Sequence, residues 1–304
     1  MPREPDDPLS VLAVLSAVFM WGASFPMITI GLEYLPPVGF AALRFVVAGS
    51  VMIVVMAWRW RSLGKMWASF RSGWRIFLLA GLVGVALPNG ALSVGLQYTT
   101  PSVSSIIQAA GPVYTMLLAV VFLDERLGPD KVVGTVVAIA GTMLLVTYQG
   151  VNLSDATFVG NAIVLVAALG YAMSGLINKV AMKEHHPLDV TAWGLVVGCF
   201  GLLALAPVET AAYEFTPMAL LMVVLLGLFP GAMAFILYNI VLQRNELSTQ
   251  VFFIYLIPVF ANILSFLVLG DLIDVEGAVY GMIIILGVAT AQYRLVSRWG
   301  CKDG

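Results

Sequence analysis

Ten long apolar runs constrain this sequence more than any other feature. Each run is continuous over about twenty residues, the length at which an α-helix crosses the hydrocarbon core of a bilayer. The strands of a transmembrane barrel would instead alternate apolar and polar residues over about ten positions. The runs cover roughly residues 9–31, 37–58, 75–97, 102–123, 131–148, 158–181, 188–207, 217–241, 248–269 and 275–294. They predict an all-α polytopic membrane protein with ten transmembrane helices.

The composition excludes several other classes of protein. Hydrophobic residues fill 61% of the 304 positions and charged residues only 11%, whereas about 25% of the residues of a soluble domain are charged. A soluble enzyme, a disordered chain and a nucleic-acid-binding domain are therefore excluded. The lipid bilayer is the expected environment, and no nucleic acid is an expected partner.

The basic residues segregate to one side of the predicted bundle. With ten spans, 14 of the 15 Lys and Arg residues fall in the terminal segments and alternate loops, or at the edges of those loops. The remaining one, Arg44, lies within the second span. The positive-inside rule then places both the N-terminus and the C-terminus in the cytoplasm. We expect a multi-pass protein of the plasma membrane, which in a bacterium is the inner membrane.

The two halves of the chain resemble each other. An offset of 146 or 150 residues aligns Pro112 with Pro258, Glu125 with Asp271, Trp21 with Tyr171, Ser24 with Ser174 and Pro37 with Pro187. Each half then holds five spans, and an odd number of spans inverts the second half relative to the first. The sequence predicts two inverted five-helix repeats, residues 1–150 and residues 151–304, the second ending in a short cytoplasmic tail. Many secondary transporters are built from such inverted repeats.

Uncharged polar and aromatic side chains recur at helical spacing on several spans. Because such groups need partners in hydrocarbon, we expect these faces to point into the bundle. The candidate substrate-binding residues are Trp21, Ser24, Asn89, Gln108, Tyr171, Ser174, Asn178, Tyr238, Asn239, Tyr255 and Asn262. The alternative is that they only join helices, through interhelical hydrogen bonds of about 0.6 kcal/mol each. Matching stripes on two repeat-related pairs of spans favour a shared cavity.

Arg44 is the one ionisable residue near the middle of a predicted span, and such residues are functional candidates. It could meet a substrate carboxylate, or it could pair with Glu33 in the outer loop or cap carbonyls of a neighbouring helix. We favour the structural interpretation, because Arg44 lies only ~10 Å from the outer surface and can snorkel. The lack of carboxylates and lysines in mid-span indicates a substrate that is neutral overall, such as a zwitterion.

Two prolines are candidate hinges. Pro112 and Pro258 lie inside predicted spans, where proline removes a backbone hydrogen bond and can kink the helix. Gly111 precedes Pro112 and makes a flexible point there more plausible. Static kinks are also common in membrane helices, so the two interpretations stay open.

Several of these residues together give a resemblance to a known family. The motifs are Trp21-Gly22-Ala23-Ser24-Phe25 in the first span, Leu43-Arg44-Phe45 in the second, and Pro112 followed by Glu125. In this order the chain resembles the ten-helix drug/metabolite transporter (DMT) superfamily, and more narrowly its EamA-type exporters, over about residues 9 to 294. The second half departs from the pattern, since Gly194 stands where a second arginine would be and Asp271 replaces Glu125.

The resemblance implies a secondary transporter. It would export neutral and aromatic amino acids, or similar small zwitterionic metabolites, by alternating access. An exporter of drugs or hydrophobic cations from the same superfamily is the alternative, although it would be expected to hold a carboxylate in mid-membrane. A membrane enzyme and a passive channel are further alternatives. We expect a small-molecule substrate, a protein that works as a monomer, no enzymatic activity, no metal and no cofactor.

Overall fold

The computed structural model describes residues 8–108, 111–123, 129–147, 155–209, 211–244, 253–254, 256–270 and 274–291, and all regular structure within them is helical. The α-helices are α1 Pro8–Leu32, α2 Pro37–Trp60, α3 Leu63–Gly81, α4 Leu87–Gly95, α5 Pro101–Gln108, α6 Gly111–Leu123, α7 Pro129–Thr147, α8 Ala156–Ala181, α9 Pro187–Leu205, α10 Pro217–Leu226, α11 Ala234–Arg244, α12 Ile257–Leu269 and α13 Val275–Ala291. Two π-helices, π1 Leu82–Ala86 and π2 Gly227–Met233, and a 3₁₀ turn Ala206–Val208 complete the set.

Six apolar helical stretches within the described residues are long enough to cross a membrane. They are Leu9–Leu32, Pro37–Trp60, Leu63–Gly95, Ala156–Ala181, Pro187–Val208 and Pro217–Gln243. Shorter apolar helices cover Val132–Gly141, Val259–Leu269 and Val275–Gly287. These stretches correspond to nine of the predicted spans, and the total of ten and the cytoplasmic termini stay predictions.

The connection between the second and third predicted spans, residues 59–74, is basic and is helical from Leu63 onward. The third helix, α3, begins at Leu63 and departs from helical geometry at Gly73, where φ is −130° and ψ is 20°. Before that point Lys65, Trp67 and Arg71 are exposed. Tryptophan and basic side chains on a short amphipathic helix are typical of the membrane–water interface. The hydropathy pattern missed this helix because its charges interrupt the apolar run.

The two π-helices interrupt the third and eighth predicted spans at equivalent places. The 146-residue offset aligns Gly81-Leu82 with Gly227-Leu228, the residues at the start of each π-helix. Pro230 lies within π2, and Pro88 is the second residue of α4, directly after π1. A π-helical turn is wider than an α-helical turn and often marks a functional position.

Each π-helix begins where a glycine packs closely on a helix of the other half. A Cβ atom added to Gly227 would lie 2.5 Å from the Cβ of Val47, and one added to Gly81 would lie 2.5 Å from the Cβ of Val197. The two valines are themselves 150 residues apart. The close approaches therefore match between the two halves, and each needs the absence of a side chain.

Gly81→Ala and Gly227→Ala should each lower the thermal stability of the purified protein in detergent. The new Cβ of the second variant would also meet the carbonyl oxygen of Arg44 at 2.7 Å, and overpacking of this kind costs typically 1–3 kcal/mol. Gly64→Ala is the matched control, since only Ser62 lies near its added Cβ, at 3.7 Å. Equal melting temperatures for all three variants would contradict the close packing.

Helices α2 and α9 pack against each other and are held at both ends. At the start of α2, the Glu209 carboxylate accepts the backbone N–H groups of Val38 and Gly39, both at 2.8 Å. At the start of α9, Asp189 Oδ1 accepts the indole N–H of Trp60 at 3.1 Å and lies 4.0 Å from Nε of Arg59. Negative groups at helix N-termini are favourable because of the helix dipole.

His186 caps the N-terminus of α9 and should make stability depend on pH. Its Nδ1 accepts the backbone N–H of Leu188 at 3.2 Å. Partial burial, and next the positive charge of Arg59, lower the pKa of the imidazole, although Asp189 acts in the opposite direction. The unfolded chain therefore binds the proton more tightly, so acid favours unfolding. The stabilisation is present above the ordinary histidine pKa of about 6.5 and is lost as the pH falls through the lower folded value.

We expect His186→Asn to lose less thermal stability than the wild type between about pH 7.5 and pH 5.5, because asparagine caps a helix without titrating. Melting curves of both proteins at the two pH values make the measurement. At the higher pH the two melting temperatures should be similar. A wild-type decrease that the variant reproduces in full would place the pH dependence elsewhere.

Candidate functional site

A cavity lies between helices of both halves of the chain. Its volume, measured as the space open to the centres of water molecules, is about 160 Å³. On the same measure a single water needs roughly 10–15 Å³. The lining residues are Trp21, Ser24, Phe25, Ile28, Arg44, Phe45, Asn89, Leu92, Gln108, Gly111, Thr115, Tyr171, Ala172, Ser174, Gly175, Asn178, Leu226, Pro230, Gly231, Phe235, Tyr238, Asn239, Ile254 and Ile257. The space suits a small solute, and its walls are mostly apolar.

Most of the sequence-predicted site residues meet at this cavity. Nine of the eleven candidate substrate-binding residues line it, and so does Arg44. Of the other two, Tyr255 lies outside the described residues. Asn262 lies elsewhere, between α12 and α5, where its Nδ2 donates to Ser105 Oγ at 3.4 Å. For Asn262 the structure favours a contact between helices, whereas the substrate-binding role of the other nine stays a prediction.

The lining is built from matching positions of the two halves. On α1 and α8, the 150-residue offset relates the lining pairs Trp21/Tyr171, Ser24/Ser174, Phe25/Gly175 and Ile28/Asn178. The 146-residue offset relates the lining pairs Asn89/Phe235, Leu92/Tyr238, Gln108/Ile254 and Gly111/Ile257. Sixteen of the lining residues thus form eight related pairs, so the cavity lies where the halves meet.

An aromatic residue from each half donates a hydrogen bond toward the π-helical region of the other half. Tyr171 Oη donates to Asn89 Oδ1 at 2.9 Å, and Asn89 Nδ2 in turn donates to the carbonyl of Val85 in π1 at 2.9 Å. Trp21 Nε1 donates to the carbonyl of Pro230 in π2 at 3.2 Å. These side chains therefore line the cavity and also satisfy backbone groups at the two irregular segments.

Other polar lining groups divide into those with intramolecular partners and those without. Ser24 Oγ donates to the carbonyl of Trp21 at 2.6 Å, and Asn239 Nδ2 donates to Thr191 Oγ1 at 2.8 Å. Within the described part of the chain, the buried Nε2 of Gln108 has no hydrogen-bond partner. Gln108 is thus a donor that a bound molecule could use.

Arg44 is buried, and its guanidinium borders the cavity. Its Nη2 donates to Ser93 Oγ at 3.2 Å, and its Cζ lies 5.2 Å from the centre of the Phe40 ring. The ion pair with Glu33, one of the alternatives that the sequence left open, is not formed, although both residues are described. The reason is direction: Glu33 is exposed, while Arg44 points inward to α4.

The two candidate hinge prolines begin helices. Pro112 is the second residue of α6 and Pro258 is the second residue of α12, so the two helices are related by the 146-residue offset. A proline in the first turn removes no intrahelical hydrogen bond. The hinge role of both residues stays a prediction.

Sequence reasoning missed the apolar part of the lining. Phe235, Ile254 and Ile257 belong to the cavity although no polar stripe marked them. The repeat itself held the signal, because adding 146 to Asn89, Gln108 and Gly111 gives these three positions. Phe45 was also missed, although it lies next to Arg44.

The lining carries groups that can bind a small molecule. None of its described residues is Asp, Glu, Lys, His or Cys. Across the described chain, no three His, Cys, Asp or Glu side chains come together as metal ligands would. What remains is hydrogen bonding, aromatic contact and one guanidinium, which can hold a small amphipathic molecule.

Comparison with known proteins assigns the family. The model of the EamA-like transporter family matches residues 8–147 and again residues 158–291. The chain therefore belongs to the EamA-like transporter family, and the resemblance read from the motifs is confirmed. It is a multi-pass membrane protein of a transporter family.

Individual relatives agree with this assignment. An uncharacterized transporter of Archaeoglobus fulgidus is 23% identical over 282 residues, which is 91% of this chain and 96% of the relative. A probable terminal-alkyne amino-acid exporter of Streptantibioticus cattleyicolor is 28% identical over 291 residues, 95% of each chain. A protein of known crystal structure is similar with a TM-score of 0.69 at 20% identity, covering 97% of this chain and 99% of that one, which supports the fold alone.

Tyr171→Phe should lower the melting temperature, because it leaves Asn89 Oδ1 without its donor at a buried site, at a cost of about 1 kcal/mol. Tyr98→Phe, at a position 44% exposed, is the matched control and should behave as the wild type. A double-mutant cycle with Asn89→Ala isolates the pair. The sum of the losses in the two single variants should exceed the loss in the double variant, because each single variant already breaks the same hydrogen bond. Strict additivity would show that the hydroxyl and the amide do not interact.

Proposed function

We propose that this protein is a secondary transporter that exports amino acids with apolar or aromatic side chains, or similar small zwitterionic metabolites. The observation that supports this most is the cavity at the junction of the two halves, lined by eight repeat-related pairs. Secondary transporters built from repeats bind substrate near mid-membrane at the repeat interface.

The same observation supports alternating access. In our proposal, residues 1–150 and residues 151–304 are inverted five-helix repeats, with both termini in the cytoplasm, and the protein works as a monomer in the plasma membrane, the bacterial inner membrane. Related contacts in the two halves, such as those of Gly81 and Gly227, show that the halves pack in matching ways. In our proposal the chain has two arrangements in which the halves exchange roles. Exchange between such arrangements exposes one site to each side in turn.

The chemistry of the walls supports an amphipathic substrate that carries little net charge. Aromatic surface comes from Trp21, Phe235 and Tyr238, and the Trp21 ring centre lies 5.5 Å from that of Phe235 and 5.1 Å from that of Tyr238. Amides and hydroxyls supply directional hydrogen bonds beside them. One relative is named a probable amino-acid exporter, which agrees with this class of substrate. A hydrophobic cation is less well matched, because no carboxylate borders the described cavity.

The test uses purified protein in liposomes preloaded with a panel of radiolabelled amino acids, with protein-free liposomes as the baseline. We expect saturable release of neutral and aromatic amino acids. Trp21→Phe should reduce this release at least several-fold, because it removes the indole N–H that holds π2 and trims the cavity wall. Trp67→Phe is the matched control, since Trp67 is 59% exposed and does not line the cavity.

Three outcomes decide between the candidates. Saturable release that Trp21→Phe impairs and Trp67→Phe does not supports the amino-acid carrier. Transport of a cationic dye, without release of any amino acid, would replace it with the multidrug alternative. Release that grows linearly with concentration and is the same in both variants would indicate a passive channel and contradict the carrier.

A further inference from the structure

We propose that Arg44 is the anchor of a carboxylate subsite in the wall of the cavity, so that the transported molecule carries a carboxylate group. This inference rests on the proposed transport function and makes its substrate class specific. The observation behind it is a buried guanidinium that borders the cavity and has no acidic partner within the described part of the chain.

An unpaired positive charge in this position calls for a partner. Arg44 is only 5% exposed, and guanidinium stays charged at neutral pH. In the described residues it makes one hydrogen bond, to Ser93, and its buried Nε has no partner. Buried charges in proteins are paired, because uncompensated burial is costly. Since no carboxylate lies on the described walls, an anionic group of the transported molecule would neutralise this charge.

The surroundings hold the guanidinium in place for such a ligand. The Phe40 ring lies 5.2 Å and the Phe45 ring 6.0 Å from Arg44 Cζ. Ser93 Oγ accepts a hydrogen bond from Nη2 and so holds one end of the guanidinium, and this contact is buried. Arginine pre-organised in this way binds a carboxylate through parallel hydrogen bonds with defined direction. Ser93 is a positioning residue here, since it acts through Arg44.

The two halves differ in side-chain polarity at three pairs of related positions. Arg44, Asn89 and Gln108 come from the first half and all line the cavity. At their related positions the second half carries Gly194, Phe235 and Ile254. At these three positions the first half supplies polar groups and the second half does not. After Arg44 Nε, Gln108 Nε2 is a second buried donor without a partner among the described residues.

This arrangement fits a molecule with a carboxylate and an apolar group. The carboxylate would lie at Arg44, with Gln108 as a further donor, and the apolar part on Phe235 and Ile254. A cationic drug fits less well, because it would enter a cavity that already holds an unneutralised positive charge. The same subsite would accept α-amino acids and simple carboxylic acids, and would discriminate against their amides.

Binding to the purified protein tests the subsite without requiring transport. The probes are phenylacetate and 3-phenylpropionate, each paired with its amide, which matches the acid in shape but lacks the charge. We expect each acid to bind the wild type at least tenfold more tightly than its amide and to raise the melting temperature. Arg44→Met should reduce the preference for the acid to about twofold or less, because a charge-assisted bidentate contact is lost.

Controls separate the local charge from folding and from general electrostatics. Arg71→Met makes the same change at an exposed position of α3 and should keep the wild-type preference. Arg44→Lys keeps the charge without the fork and should retain part of it. If Arg44→Met does not purify as a monodisperse protein, Arg44→Gln takes its place. It keeps donors and removes the charge, so the preference should still be lost.

The outcomes also separate this inference from the proposed function. Selective binding of the acids in the wild type, lost in Arg44→Met, supports the subsite even if no amino acid is released from liposomes, in which case the proposed cargo fails. Release of amino acids by both the wild type and Arg44→Met with equal half-saturation would support the transporter and overturn the subsite. Equal affinity of the wild type for acid and amide, or no binding of either acid, also overturns it.

Discussion

The hydrogen bonds that cross between the halves at the π-helices are the constraint on which the cavity depends. A wide π turn displaces backbone carbonyls from their usual donors, and in a membrane such groups must find partners within the protein. Trp21 donates a hydrogen bond to the carbonyl of Pro230. Asn89 donates to the carbonyl of Val85 and accepts a hydrogen bond from Tyr171. The side chains that give the cavity its shape are therefore the ones that stabilise the interrupted helices. The same side chains therefore line the cavity and hold the helices together.

Much of this could be predicted from the sequence because membrane helices follow two simple rules. Hydropathy over about twenty residues located the apolar helices, and the cost of unpaired polar groups in lipid placed Trp21 and Tyr171 inside the bundle. Other features depend on tertiary packing and were out of reach. The helix at Leu63 carries charges that a hydropathy average rejects, and the partner of Arg44 is set by the direction of its side chain. Asn262 has the same chemistry as the cavity amides and differs only in the neighbour that it faces.

The repeat keeps the framework similar while the side chains diverge. Glycines at the start of both π-helices, and the valines against which they pack, are retained in both halves. The polarity at related lining positions is not, since Asn89 and Gln108 correspond to Phe235 and Ile254. Close backbone approach tolerates no substitution without strain, whereas a cavity wall can exchange an amide for an apolar side chain if the cargo changes. The repeat thus keeps the close-packed positions alike while the lining positions differ.

Helices α2 and α9 are held to each other at both ends, which resists motion of one relative to the other. Glu209 holds the start of α2 near Gly39, and Asp189 joins the start of α9 to Trp60 and Arg59 at the end of α2. Adding 150 to Gly39 and Arg59 gives Asp189 and Glu209, so the same two positions are joined at both ends of the helix pair. Sliding or separating these helices would break contacts to charged groups at both ends, each more costly to lose than a neutral hydrogen bond. In the transport cycle that we propose, α2 and α9 therefore move together as one unit.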